Sequence, residues 1–110
     1  MKTSGSAIQK KIREMVNRIV KMFHPDRIIL FGSQADGRGG PDSDVDLLVV
    51  MDVPGSKREA RLDIRRSLRG IGIPKDVVVC RPEEFVQRKE IVGTIEYPAA
   101  REGRVLYARP

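Results

Sequence analysis

From Ala7 to Phe23 the apolar residues Ile8, Ile12, Met15, Val16, Ile19, Val20 and Phe23 recur at spacings of three and four, which predicts an amphipathic helix. Ser6 is its expected N-cap, and the short polar stretch Met1 to Ser6 is expected to be disordered. Lys10, Lys11, Arg13, Asn17, Arg18 and Lys21 form the opposite, solvated face. His24-Pro25-Asp26 ends the helix, because the residue before a proline is pushed out of helical geometry. Arg27 to Phe31 reads as a buried strand closed by Gly32, and Asp44 to Met51 as a second, apolar after Asp46 and therefore covered on both faces. Gly37, Gly39, Gly40 and Pro41 leave the connection room for one or two helical turns, so the two strands are expected to be antiparallel neighbours. After a turn at Asp52 to Ser56, Lys57 to Ile71 predicts a helix with Ala60, Ile64, Leu68 and Ile71 inward and Arg58, Arg61, Arg65, Arg66 and Arg69 over the rest. A third strand, Asp76 to Cys80, follows by a right-handed crossover and should run parallel to the second. Pro82-Glu83-Glu84-Phe85 opens another helix, with the acidic pair at its positive end. Gly93 to Gly103 is the expected last helix, delayed or kinked by Pro98, and Val105-Leu106-Tyr107 packs as an apolar tail.

These elements predict an α/β (α+β) fold, a small mixed β-sheet with helices packed on it. At 110 residues the chain fits one domain, 1–110, with one core and one site. No apolar run approaches the ~20 residues of a membrane span, the N-terminus lacks a secretory core, and a single cysteine cannot form an internal disulfide, so a cytoplasmic location is expected. The net charge of +6 favours anionic partners. Five scattered aromatic residues make no stacking platform, so direct nucleic-acid binding is not expected. Apolar surface left outside the core would be the route to a homo-oligomer. His24 is the only histidine and lies in a turn, and Cys80 reads as a small buried hydrophobe, so neither is a candidate for chemistry.

Candidate chemistry lies between the first two strands. Asp44 and Asp46 sit two residues apart at a strand entrance, on one face, with Cα atoms about 6.5–7 Å apart. Close carboxylates raise each other's pKa unless a cation neutralises them. A parallel third strand brings Asp76 to the same sheet edge. Oxygen ligands without histidine or cysteine select hard ions, chiefly Mg²⁺ and secondarily Mn²⁺. The first strand delivers Gly32 and Ser33 to that edge from the other direction. If Ser33 starts a short helix, its N–H groups and hydroxyl offer an anion site, and Gly32 permits close backbone approach. Metals, phosphate donors and an open edge suit phosphoryl or nucleotidyl transfer.

Gly32-Ser33, ten intervening residues and Asp44-Val45-Asp46 resemble the G-S-x(10)-D-x-D signature of nucleotidyltransferases in the DNA polymerase beta superfamily. The wider context FGSQADGRGGPDSDVDLLVV is similar to the minimal nucleotidyltransferase (MNT) branch of single small domains. The resemblance implies a polymerase beta-like nucleotidyltransferase fold. It assigns the triphosphate to Gly32 and Ser33, a metal pair to Asp44 and Asp46, and to Asp76 the third catalytic carboxylate, on the metal that activates the acceptor hydroxyl. Gln34 and Asp36 stand where relatives often carry basic residues, so Arg38 is the candidate countercharge for the nucleotide. The resemblance further implies transfer of AMP from ATP, or of another nucleotide, to a partner protein, with this chain as the antitoxin of a helical HEPN ribonuclease toxin. A catalytically silent antitoxin and a transferase for a small hydroxyl substrate are the alternatives.

Overall fold

The computed structural model describes residues 3–40 and 43–110, with side chains from Ala7 onward. Its elements run α1 (Thr3–Phe23), β1 (Arg27–Phe31), α2 (Ser33–Asp36), β2 (Val45–Val50), α3 (Lys57–Ser67), β3 (Lys75–Cys80), α4 (Pro82–Arg88), α5 (Glu96–Glu102) and β4 (Arg104–Ala108). Thr3 to Ser6, expected to be disordered with Ser6 as a cap, form the first turn of α1, whereas Met1 and Lys2 lie outside the described residues.

The sheet is mixed, with strand order β3-β2-β1-β4. β1 pairs antiparallel with β2, and β2 pairs parallel with β3 across α3, as the connection lengths require. Strand alternation divides the interior in two. Ile28, Leu30, Val45, Leu47, Val49, Val77 and Val79 face α1 and α3, meeting Ile12, Met15, Ile19, Ile64 and Leu68 in the larger core. Ile29, Leu48, Val50 and Cys80 point the other way and pack under Phe85 of α4 and Ala99 of α5. β2 is thereby covered on both faces, and each fully buried aliphatic side chain stabilises the fold by roughly 1.5–3 kcal/mol.

Three further features differ from the sequence expectation. The tail at Val105-Leu106-Tyr107 is β4, an edge strand antiparallel to β1 with a register shift between Ile28 and Ile29. Without it the backbone groups along one side of β1 would lack partners, a cost no side-chain pattern announces. The last helix begins only at Glu96, which leaves Pro98 in its first turn, where a missing N–H is harmless. Arg18 is not simply solvated: Nη1 donates to the Ser67 and Arg69 carbonyls at 3.0 Å each, satisfying acceptors at the C-terminal end of α3. The turn after α1 holds His24 at φ 50°, with its N–H bonded to the Val20 carbonyl. Arg109 closes this turn by donating to the His24 carbonyl and pairing with Asp26.

Candidate active site

The register of β2 and β3 sets Asp46 directly beside Asp76 on neighbouring strands. Both lie on the sheet face that carries Leu48, Val78 and Phe31, and α4 and α5 cover only the lower part of that face, over Leu48, Val50 and Cys80. Asp44 precedes β2 by one residue and is exposed. Its charge still reaches the Asp46 carboxyl. Burial pushes the Asp46 carboxyl above its ordinary range, and the charges of Asp76 and Asp44 push it further. That mutual repulsion is the cost expected of carboxylates gathered without a cation.

Gly32 closes the site from the β1 side. Its backbone, at φ 77° and ψ −159°, occupies a region open essentially to glycine. A Cβ there would collide with Oδ2 of Asp46, so the bare backbone is packed directly against the carboxylate. Ser33 follows at the first position of α2, a single turn held by bonds from the N–H groups of Ala35 and Asp36 to the Gly32 carbonyl. The first N–H groups of such a turn have no intrahelical partners.

Gln34 and Asp36, the departures inside the signature, have structural work. The Gln34 amide donates to the carbonyls of Gly40 (2.8 Å) and Ser43 (3.3 Å), drawing the loop between α2 and β2 onto the helix. Gly39 lies close beside it, where a Cβ would meet the Gln34 side chain at 2.9 Å. Asp36 accepts from Arg38 through Nε at 2.9 Å and from its backbone N–H at 3.1 Å, and the hydrogen bonds from Arg38 hold its carboxyl below the usual range. Arg38 therefore neutralises Asp36, and its side chain is largely exposed. Pro41 and Asp42 of this loop lie outside the described residues.

Among the described residues no three acidic, histidine or cysteine side chains converge as a preformed metal centre. The carboxylates repel one another, and Asp76 is engaged by Arg61 of α3 at 3.2 Å. The residues nevertheless fit a hard divalent cation. They offer oxygen donors only, a Gly32 backbone with no side chain to crowd Asp46, and repulsion that a cation would relieve. Arg61 was not a sequence candidate, because helical periodicity marks its position as surface and only the packing of α3 on β3 aims it at Asp76. Cys80 is buried, and burial followed by the charges of Glu96 and Glu84 pushes its thiol up to about 12, consistent with a packing role. His24 stays in the turn after α1, at the opposite end of β1 from Gly32. No helix among the described residues is long and apolar enough to cross a membrane.

Residues 10–99 match the family model of the nucleotidyltransferase domain. A relative from Methanocaldococcus jannaschii that bears the name "Putative protein adenylyltransferase" is 33% identical over 102 residues, 90% of this chain and 97% of its own length. The fold is similar to that of a crystal structure of a "putative nucleotidyltransferase" from Sulfolobus solfataricus, with a TM-score of 0.62 at 23% identity over 94% of this chain and 88% of that one. It is also similar to a chain of a toxin-antitoxin crystallised with AMP-PNP, with a TM-score of 0.57 at 20% identity over 96% of this chain and 73% of that one. With the family model spanning most of its length and a curated relative aligned nearly end to end, the protein belongs to the nucleotidyltransferase domain family, as an enzyme of that class.

Proposed function

We propose that the protein transfers AMP from ATP to a hydroxyl of a partner protein, in the cytoplasm, and that this partner is a HEPN-type ribonuclease toxin for which it serves as the antitoxin. The observation that carries the transfer is the in-register Asp46 and Asp76 pair with the Gly32 backbone packed against Asp46, on a part of the sheet left open by α4 and α5. An adenylyltransferase name for the relative and a toxin-antitoxin among the structures of like fold support the choice of nucleotide and acceptor. A small domain that leaves its nucleotide partly uncovered suits a macromolecular acceptor that completes the site.

Asp44, Asp46 and Asp76 would hold two Mg²⁺ ions, or Mn²⁺ in their place, which when bound supply charge neutralisation and a more acidic acceptor hydroxyl. Gly32 lets the triphosphate approach the backbone, and the Ser33 hydroxyl and the first N–H groups of α2 donate to its oxygens. Arg38, shared with Asp36, supplies positive charge at the entrance. The acceptor oxygen attacks the α-phosphorus in line as its proton passes to solvent. A new O–P bond forms, the bond between the α- and β-phosphates breaks, and pyrophosphate departs.

The test is incubation of the full chain with labelled ATP, Mg²⁺ and the product of its neighbouring gene. Label on the neighbour that disappears with Asp44→Asn is the expected result. Inhibition of the neighbour with no label transferred would leave a silent antitoxin and defeat the enzymatic proposal.

A further inference from the structure

Arg61 lies on α3 and reaches the first residues of β3 through two separate bonds. Nε donates to the Val77 carbonyl at 2.8 Å, and Nη2 donates to Oδ1 of Asp76 at 3.2 Å. β3 is an edge strand paired only with β2, so the first bond satisfies a carbonyl on the open side of the sheet. It also anchors the planar guanidinium to the strand itself, which fixes the direction of the second bond. Both side chains of the pair are nearly half exposed, 45% and 48%. Such a pair contributes at most about 1 kcal/mol to stability, so its main consequence is geometric. Oδ2 of Asp76 makes no hydrogen bond among the described residues, and Asp46 stands beside it on β2.

We infer that Arg61 is the positioning residue of Asp76: it holds one carboxylate oxygen and leaves the other directed to a divalent cation shared with Asp46. What that cation does there rests on the nucleotidyl-transfer proposal, but the placement of the carboxylate does not. Two effects of Arg61 have opposite signs. Its charge opposes a cation at the site, whereas its grip on Asp76 favours productive geometry. Removing it should therefore tighten cation binding and slow transfer together.

The experiment titrates Mn²⁺ alone into the nucleotide-free full chain, read by electron paramagnetic resonance, and measures kcat and KM for AMP transfer in parallel. Arg61→Gln is expected to bind Mn²⁺ roughly two- to fivefold more tightly than the wild type, the range one exposed charge pair allows. Its kcat should fall about tenfold with the KM for ATP little changed. Arg61→Lys restores the charge without the fork, so its Mn²⁺ affinity should return close to wild type while kcat recovers only in part. In an Asp76→Asn background Arg61→Gln should cost no further kcat. A merely structural arginine would lower the melting temperature and weaken binding and turnover in step, and that pattern, or unchanged Mn²⁺ affinity in a stably folded Arg61→Gln, overturns the inference. If Arg61→Gln does not fold, Arg61→Lys decides, and wild-type kcat in that variant overturns it. Failure of the wild type to transfer AMP defeats the proposed function and leaves the Mn²⁺ comparison valid.

Discussion

Asp46 concentrates the conflict between stability and chemistry in this molecule. Its carboxyl is raised by burial and by two neighbouring aspartates, so between the unfolded value of about 3.9 and the raised folded value the native state holds more protons than the unfolded one. The stability of the metal-free protein should then fall as pH rises through that window. Asp46→Asn should remove this slope, raise the melting temperature at pH 7 in EDTA and abolish transfer. Thermal melts from pH 3.5 to 7 check it, and superimposable curves for the two proteins would contradict the repulsion. Gly32 is the second pressure point. A side chain there meets both a backbone region that costs about 1–3 kcal/mol and the Asp46 carboxylate itself. Gly32→Ala should lose that much stability in urea melts and nearly all transfer, whereas Gly37→Ala, at φ 84° in open space, should carry the backbone strain alone and keep more activity. The glycine and the aspartates were legible in the sequence as a signature. The work of Gln34 was not, because its partners Gly40 and Ser43 lie on a loop whose folding back no local pattern encodes, whereas Asp36 pairs with Arg38 only two residues on.

Among the elements, those with a strong period were legible to within a few residues: α1 from its three-and-four spacing, and β2 from an unbroken apolar run bounded by polar turns. β4 was not, because Arg104 to Ala108 carries no alternation and its burial pattern shows no consistent inner face. Backbone demand from β1, rather than side-chain preference, makes it a strand. The link between α1 and α3 was missed for a similar reason. Arg18 sits among charges on a helix surface, yet it bonds two carbonyls at the end of α3 and pairs with Glu14 at 2.6 Å. Arg18→Ala should cost about 1–2 kcal/mol by denaturant unfolding, the range for hydrogen bonds to a charged group, and Lys should recover less than half, since its shorter side chain ends in one nitrogen where Arg18 divides the bonds between Nη1 and Nη2. A loss no greater than that of Arg13→Ala, an exposed control on the same helix, would show that the clasp contributes nothing.

At the scale of the whole molecule, the fold packs Gly32 against Asp46, 14 positions on, and the sheet register sets Asp46 beside Asp76, a further 30 on, so these two carboxylates meet only in the folded state. A cation held by them binds the native protein and not the unfolded chain. Mg²⁺ at about 100 times its dissociation constant should therefore add about 2.7 kcal/mol of stability, visible as a raised melting temperature that Asp44→Asn or Asp46→Asn reduces. An identical rise in those variants would place the ion elsewhere. The sequence by itself determined the order of the main elements, the double burial of β2, and the identity of the acidic and glycine residues at one sheet edge, because apolar periodicity, turn chemistry and connection length are local properties. The tertiary structure decided the edge pairing of β4, the clasp of Arg18 and the grip of Arg61 on Asp76. Each of these depends on which surfaces meet once the helices are laid on the sheet, and a charged side chain on a helix looks the same in sequence whether it faces water or a carboxylate.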